Sequence, residues 1–198
     1  MRIYIVRHGE TDWNLNFKVQ GGSSDIPLNQ NGFEQAKKIA QRLKDEKVSA
    51  IYSSPLKRAI DTANEINRYH NKEILNHKKI IERDFGKLEG SDYKKLSITM
   101  KKIILLNEYD KYEVERIEEF EKRVKEFIHE IHEKHFGENI ILVSHSAVTK
   151  MIISIVNKIP IEKAREIVGY KRNASLTTIQ LDENKNIVDV IIGESDHL

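Results

Sequence analysis

Arg7, His8 and Gly9 follow directly on the apolar run Ile3 to Val6. An imidazole beside a guanidinium suits phosphate chemistry: the planar fork of Arg grips phosphoryl oxygens, and a neutral imidazole can attack phosphorus. Gly9 permits a tight turn and close approach of the backbone to a ligand. A second histidine, His145, stands between Ser144 and Ser146 after the run Ile140 to Val143. A third run, Val48 to Tyr52, leads into Ser53-Ser54-Pro55, with Arg58 one turn further on. Glu82, a carboxyl suited to acid–base work, follows a short run at Lys79 to Ile81. Two His, two Arg and one Glu thus fall at or just past four predicted strand ends.

That coincidence has a structural meaning. In open α/β sheets, sites form outside the carboxyl ends of the strands. The β-branched runs alternate with helical patterns, which predicts an α/β fold with a mostly parallel sheet. Asn29 is placed to cap a helix whose apolar stripe is Phe33, Ala36, Ile39, Ala40 and Leu43. Ser54-Pro55 opens another near Leu56, with Ala59, Ile60, Ala63 and Ile66 on its apolar face, and Ala147 to Val156 reads as a third. Ser175 to Leu181 and Ile187 to Ile192 read as a terminal pair of strands. From Asp84 to about Gly137 the strand pattern stops. Ile103 to Leu106, and the stripe Phe120, Val124, Phe127, Ile128 and Ile131, predict a mainly helical insertion over 84–137 within one domain of 1–198.

Composition narrows the classes. The 198 residues are 39% hydrophobic and 32% charged, enough apolar material for one core under a solvated surface. Lys and Arg number 33 against 31 Asp and Glu, a net charge of +2 that argues against a nucleic-acid partner. With no cysteine, disulfides, thiolate nucleophiles and Cys-based zinc sites are excluded. No run approaches the roughly 18 apolar residues of a membrane span, so no membrane partner and a cytoplasmic address are expected. His129, His132 and His135 invite a metal reading, but steps of three drift about 60° each round a helix. A solvated helix face, and no metal, is the expectation. Gly21-Gly22-Ser23-Ser24 lacks the Gly-Lys-Ser/Thr of a phosphate-binding P-loop.

Taken in order, the motifs resemble one family. They are Arg7-His8-Gly9-Glu10-Thr11-Asp12-Trp13-Asn14, Gln20-Gly21, Asp25-Ile26-Pro27-Leu28, Gly32 with Gln35-Ala36, Ser53-Ser54-Pro55-Leu56 with Arg58-Ala59 and Thr62-Ala63, Glu82 with Phe85-Gly86 and Glu89-Gly90, and Val143-Ser144-His145. The set resembles the histidine phosphatase superfamily, also called the phosphoglycerate mutase-like family. The resemblance implies a three-layer αβα sandwich with the helical insertion over the active site. It implies His8 as nucleophile, carrying a phosphohistidine, with Arg7, Arg58 and His145 holding the phosphoryl oxygens. Glu82 would protonate the leaving oxygen and then activate water. Asn14, Gln20, Gly21 and Ser146 are the implied phosphate or substrate contacts. The Glu82 role needs a raised pKa, whereas nearby arginines would lower it.

The activity so implied is hydrolysis of the phosphate monoester of a small metabolite, with no metal and no required cofactor. The alternative is a phosphoglycerate mutase that depends on bisphosphoglycerate as cofactor. A second alternative is a non-catalytic module that binds a phospho-ligand. The 84–137 stretch has neither a proline nor an arginine pair, which favours the phosphatase. The chain departs from the family pattern at Lys18, where many relatives have Arg, and at Ser146, where many have Gly. It carries one residue more than the pattern between Gly21 and Asp25. Glu113-Val114-Glu115-Arg116 with Arg123 matches the family's Gly-Glu-Ser…Arg segment only in part. A homo-oligomer is compatible with the sequence, but no motif encodes it.

Overall fold

A computed structural model of the chain describes residues 1–198. Its six strands are β1 (Arg2–Arg7), β2 (Ala50–Ser53), β3 (Ile74–Asn76), β4 (Asn139–Ser144), β5 (Leu176–Leu181) and β6 (Ile187–Glu194), in spatial order β3-β2-β4-β1-β5-β6. The first four strands run parallel, and β5 and β6 add an antiparallel edge. β1 is buried on both faces, and its residues alternate between two cores. Ile3 and Ile5 join one core, Tyr4 and Val6 the other.

The helices divide accordingly. α2 (Gln30–Leu43) and α3 (Lys57–Asn67) cover the Tyr4 and Val6 face with Ile39, Ala40, Leu43, Ala59, Ala63 and Ile66. α6 (Ile117–His135), α7 (Ser146–Asn157) and α8 (Ile161–Val168) cover the other with Phe120, Phe127, Met151, Ile152, Ala164 and Val168. The result is a three-layer αβα sandwich. Asn29 caps α2 as expected, its side chain accepting from the Gly32 N–H at 2.8 Å. A short α1 (Asp12–Leu15), closed by a Thr11/Asn14 capping box, lies in the segment read from sequence as loop.

The helical stretch 84–137 falls into two parts by packing. α4 (Tyr93–Leu106) and α5 (Tyr109–Tyr112) build a small cluster of their own from Leu88, Met100, Ile103, Tyr109 and Val114. The stripe of α6 belongs instead to the main core.

Two expectations are corrected. Lys79 to Ile81 is not a strand: Lys78–Ile80 forms a 3₁₀ turn, and the strand is the three-residue β3 just before it. The His77 ring accepts from the Lys79 N–H at 3.3 Å, and Ser144 Oγ donates to the Ile80 carbonyl at 2.8 Å, so the turn is tied down from both sides. The histidine run is not a uniformly solvated face either. His129 is exposed, but His132 and His135 are buried. The His132 Nε2–H donates to the Asp182 carbonyl at 3.0 Å, and His135 bridges Tyr52 Oη at 2.9 Å and the Glu138 carboxylate at 2.8 Å.

One contact fixes the turn after β1. Gly9 packs back to back with Gly32, and a Cβ on Gly32 would collide with the carbonyl oxygen of Glu10. Gly32→Ala is therefore expected to lower unfolding stability by about 1–3 kcal/mol, as overpacking does. A urea-unfolding midpoint equal to that of the parent protein would remove this close-approach argument.

Candidate active site

The parallel register aligns the strand ends: Arg7 lies opposite Ser144, and Ser53 opposite Val143. His8, Ser54 and His145 therefore leave the sheet side by side. The His8 N–H donates to the Ser144 carbonyl at 2.9 Å, and the Ser54 N–H to the Val143 carbonyl at 3.0 Å. The rings of His8 and His145 lie 5.1 Å apart. Glu82 arrives from the loop after the 3₁₀ turn rather than from a strand end. Arg58 sits in the first turn of α3, fully buried.

The hydrogen bonds of His8 set its chemistry. Its Nδ1 lies 2.7 Å from the Gly9 carbonyl, which only accepts, so Nδ1 carries the proton. Nε2 is left with its lone pair. Burial, then Arg58, then Arg7 hold the His8 pKa well below its usual 6.5, against the Gly9 bond. His8 is thus a neutral imidazole at pH 7. Behind it, the Ala174 N–H donates to the His8 carbonyl at 3.1 Å, from a non-glycine residue at φ +56°. Asn173 Nδ2 lies 3.0–3.2 Å from the carbonyls of His8 and Gly9 and from Asn14 Oδ1. Thr62 Oγ1 accepts from the Gly9 N–H at 3.0 Å.

The groups around His8 leave polar atoms open. His145 Nε2 is 2.8 Å from Ser54 Oγ, which itself accepts from the Leu56 N–H. Ser54 Oγ has both a proton to give and a second lone pair to accept with, so the contact is met with the His145 proton on Nδ1 or on Nε2. The His145 Nδ1 is buried without a partner, as is Arg7 Nε. Orphaned buried polar atoms are rare and call for an explanation; a guanidinium N–H and an imidazole nitrogen left open at one site suit an anionic ligand. Arg7 also donates from Nη1 to the Lys171 carbonyl. Arg58 donates to the carbonyls of Ser24 at 2.7 Å and Gly21 at 2.9 Å, and burial is the main cause that lowers its pKa to about 10.

Glu82 is 7% exposed, and each of its oxygens accepts one backbone N–H, from Arg83 at 2.9 Å and Ala147 at 3.1 Å. Burial raises its pKa above the usual 4.5, against these two bonds and against Arg58 and Arg7. Burial therefore prevails over the arginines. Arg123 holds the segment in place. It pairs with Glu115 and donates to the carbonyls of Lys79, Ile81 and Glu82 at 2.8, 2.8 and 3.1 Å.

The remaining expected contacts lie around this centre in different roles. Gln20, with its amide oxygen facing Arg58 at 3.1 Å and its nitrogen facing Thr11 Oγ1 at 2.8 Å, braces Arg58, as does the Gly21 carbonyl. Asn14 is bound to Thr11 and Asn173. Ser146 opens α7 and is half-buried. Sequence reasoning missed Asn173, Thr62 and Arg123 as supports. Thr62 stands in the Thr62-Ala63 match to the family pattern and Arg123 in the partial Glu115…Arg123 match, whereas nothing in the sequence signals Asn173. No group of three or more His, Cys, Asp or Glu side chains is placed to hold a metal ion. No helix is long and apolar enough to cross a membrane.

The profile of the histidine phosphatase superfamily (branch 1) matches residues 3–192. The chain belongs to that superfamily, and is a phosphatase-type enzyme on a phosphoglycerate mutase-like fold. It is 35% identical over 158 residues to phosphoglycerate mutase-like protein 4 of Arabidopsis thaliana, covering 76% of this chain and 68% of that protein. It is 33% identical over 195 residues to a metal-independent phosphoserine phosphatase of the same plant, covering 94% and 79%. The solved phosphoserine phosphatase of Entamoeba histolytica, in complex with 3-phosphoglyceric acid, superposes with a TM-score of 0.80 at 28% identity, covering 99% of this chain and 98% of that one.

Proposed function

We propose that the chain hydrolyses the phosphate monoester of a small metabolite through a phosphohistidine on His8, without a metal ion. The observation that carries this is the neutral His8, with Nδ1–H on the Gly9 carbonyl and Nε2 free, beside the unpartnered Arg7 Nε–H and His145 Nδ1. In the first step Nε2 attacks phosphorus and the ester P–O bond breaks. Arg7, Arg58 and His145 neutralise charge on the phosphoryl oxygens. Glu82 gives its proton to the departing alkoxide, so the alcohol leaves neutral. In the second step the Glu82 carboxylate takes a proton from water, the water oxygen bonds to phosphorus, and the N–P bond breaks. Inorganic phosphate leaves and His8 returns to its starting state. Fixed guanidinium and imidazole donors supply the charge a metal would otherwise supply. The metal-independent name of the Arabidopsis relative supports that reading.

A mutase would use the same five groups, so the test follows two products. The EDTA-treated protein is given 3-phosphoglycerate primed with 2,3-bisphosphoglycerate, and both free phosphate and isomerised phosphoglycerate are recorded. Free phosphate without isomer is the expected result. Fast isomer formation with little free phosphate would make the protein a mutase. Loss of activity in EDTA, restored by a divalent ion, would overturn the metal-free mechanism.

A further inference from the structure

One surface takes no part in the chemistry. α4 packs Met100 and Ile103 into the small cluster beneath it, with Leu96 at its edge. Its opposite face is apolar as well. Ile98 is 73% and Leu105 83% exposed, and a spacing of seven brings them to one side of the helix. Ile104 and Leu106 stand exposed at the C-terminal end. At the other end Phe17, also exposed, is tied on. Its carbonyl accepts from the Tyr93 N–H at 2.8 Å, and its ring centre lies 6.0 Å from the Lys94 ammonium. Exposed apolar side chains grouped in this way mark an interaction surface.

The charge around the ridge is of one sign. α4 holds Lys94, Lys95, Lys101 and Lys102 and no acid. All four are exposed, and the helical pitch sets them within about 70° to either side of the line from Ile98 to Leu105. None forms an ion pair, because the acids near them in the chain are engaged elsewhere. The Asp92 carboxylate accepts from the Lys94 N–H at 2.9 Å as the helix cap. Glu108 pairs with Lys111, Asp110 with Arg116 and Glu113 with Lys87. The whole chain carries a net charge of only +2, so this face concentrates what the rest of the surface cancels.

The charge selects the occupant. A second copy in a symmetric pair would bring the same patch to both sides of the contact and set the lysines of the two copies together. An anionic surface has the opposite sign. Aliphatic side chains that stand clear of the helix, with long basic stems on both flanks, match a lipid boundary. The apolar tips enter the acyl edge, and the ammonium groups reach back to the headgroups. We propose that the outer face of α4, with Phe17, is a peripheral docking surface for a bilayer that contains anionic lipid. The helix lies in the plane of the interface, which requires no spanning segment.

The test sediments the full chain with sucrose-loaded vesicles, of phosphatidylcholine alone or with about one-third phosphatidylserine, at low and at high salt. Binding to the anionic vesicles is expected to be about tenfold tighter or more, and to weaken at high salt. Each lysine near such a surface is worth about fivefold in partition, so Lys101→Gln with Lys102→Gln should weaken binding about 25-fold. Leu105→Gln should weaken it about tenfold or more. These positions are exposed, so the fold is expected to persist, as circular dichroism will check. Lys38→Gln with Lys44→Gln removes the same charge from exposed positions on and beside α2 and should leave binding nearly unchanged. No binding to anionic vesicles, equal binding to neutral ones, or equal losses in the α2 control would overturn the docking surface. So would a dimer in analytical ultracentrifugation that Leu105→Gln disperses, without vesicle binding, because the face would then belong to a second copy.

Discussion

His8→Ala is expected to lower phosphate release by about 10⁴-fold or more, because removing a nucleophile abolishes the covalent route and leaves only binding and charge stabilisation. The parent protein should also take up label from a phosphate-labelled ester, recovered on His8 after an alkaline denaturing quench that spares the N–P bond. The variant should take up none. The geometry makes this a sharp expectation. The Gly9 carbonyl fixes the proton on Nδ1, and burial with Arg58 and Arg7 keeps the ring neutral, so only Nε2 can attack. The ring fills a buried position beside His145 and its truncation leaves a hole. Circular dichroism and the urea midpoint must therefore accompany the rates, so that loss of chemistry is separated from loss of fold. A folded His8→Ala protein within tenfold of the parent activity would sink the phosphohistidine route.

The parts of this site that are legible in the sequence are those made by strands buried on both faces. β1 and β4 are continuous β-branched and aliphatic runs, so their ends, and hence the positions of Arg7, His8 and His145, follow from the residue pattern alone. The ordered motifs add Arg58 and Glu82. What is not legible depends on contacts distant in the chain. β3 has three half-buried or exposed residues at a sheet edge, too few for a period, and the more apolar-looking Lys79 to Ile81 is bent into a 3₁₀ turn by Ser144, 64 residues from Ile80. His132 is buried because Asp182, across the molecule, offers a carbonyl, and no spacing along α6 announces that. Asn173, which gathers the His8 and Gly9 carbonyls, lies 165 residues from His8 in a segment with no periodic pattern. The short α8 gives no clear signal either; of its residues only Ala164 and Val168 are buried.

The Glu82 pKa is open in the sequence for a related reason. The arginines that lower it are visible in the motif, but the burial that raises it exists only after folding. Arg123 and Glu115 are part of that burial. The clamp on the carbonyls of Lys79, Ile81 and Glu82 ties the loop against α6, so the segment that matches the family pattern only in part holds Glu82 in place.

Glu82→Gln tests that acid directly. The amide keeps the shape, but its single oxygen can accept from only one of the Arg83 and Ala147 N–H groups, and it has no carboxyl proton to give. For an ester with an alkyl leaving group, kcat/KM is expected to fall about 10²–10⁴-fold, the range of general acid catalysis. For 4-nitrophenyl phosphate, whose leaving oxygen needs little protonation, the fall in kcat/KM should be far smaller. Restricting the comparison to kcat/KM matters, because that quantity reports transfer to His8, whereas kcat can also carry the later water step in which Glu82 is the base. The pH dependence has a definite sign. The first step needs Glu82 protonated, and burial raises its pKa above 4.5. The alkaline fall of kcat/KM for an alkyl ester should therefore begin above the ordinary carboxyl range, and it should vanish in Glu82→Gln. Equal losses on both esters, with the alkaline limb retained, would mean that another group donates the proton and that Glu82 only supports the N-terminal turn of α7.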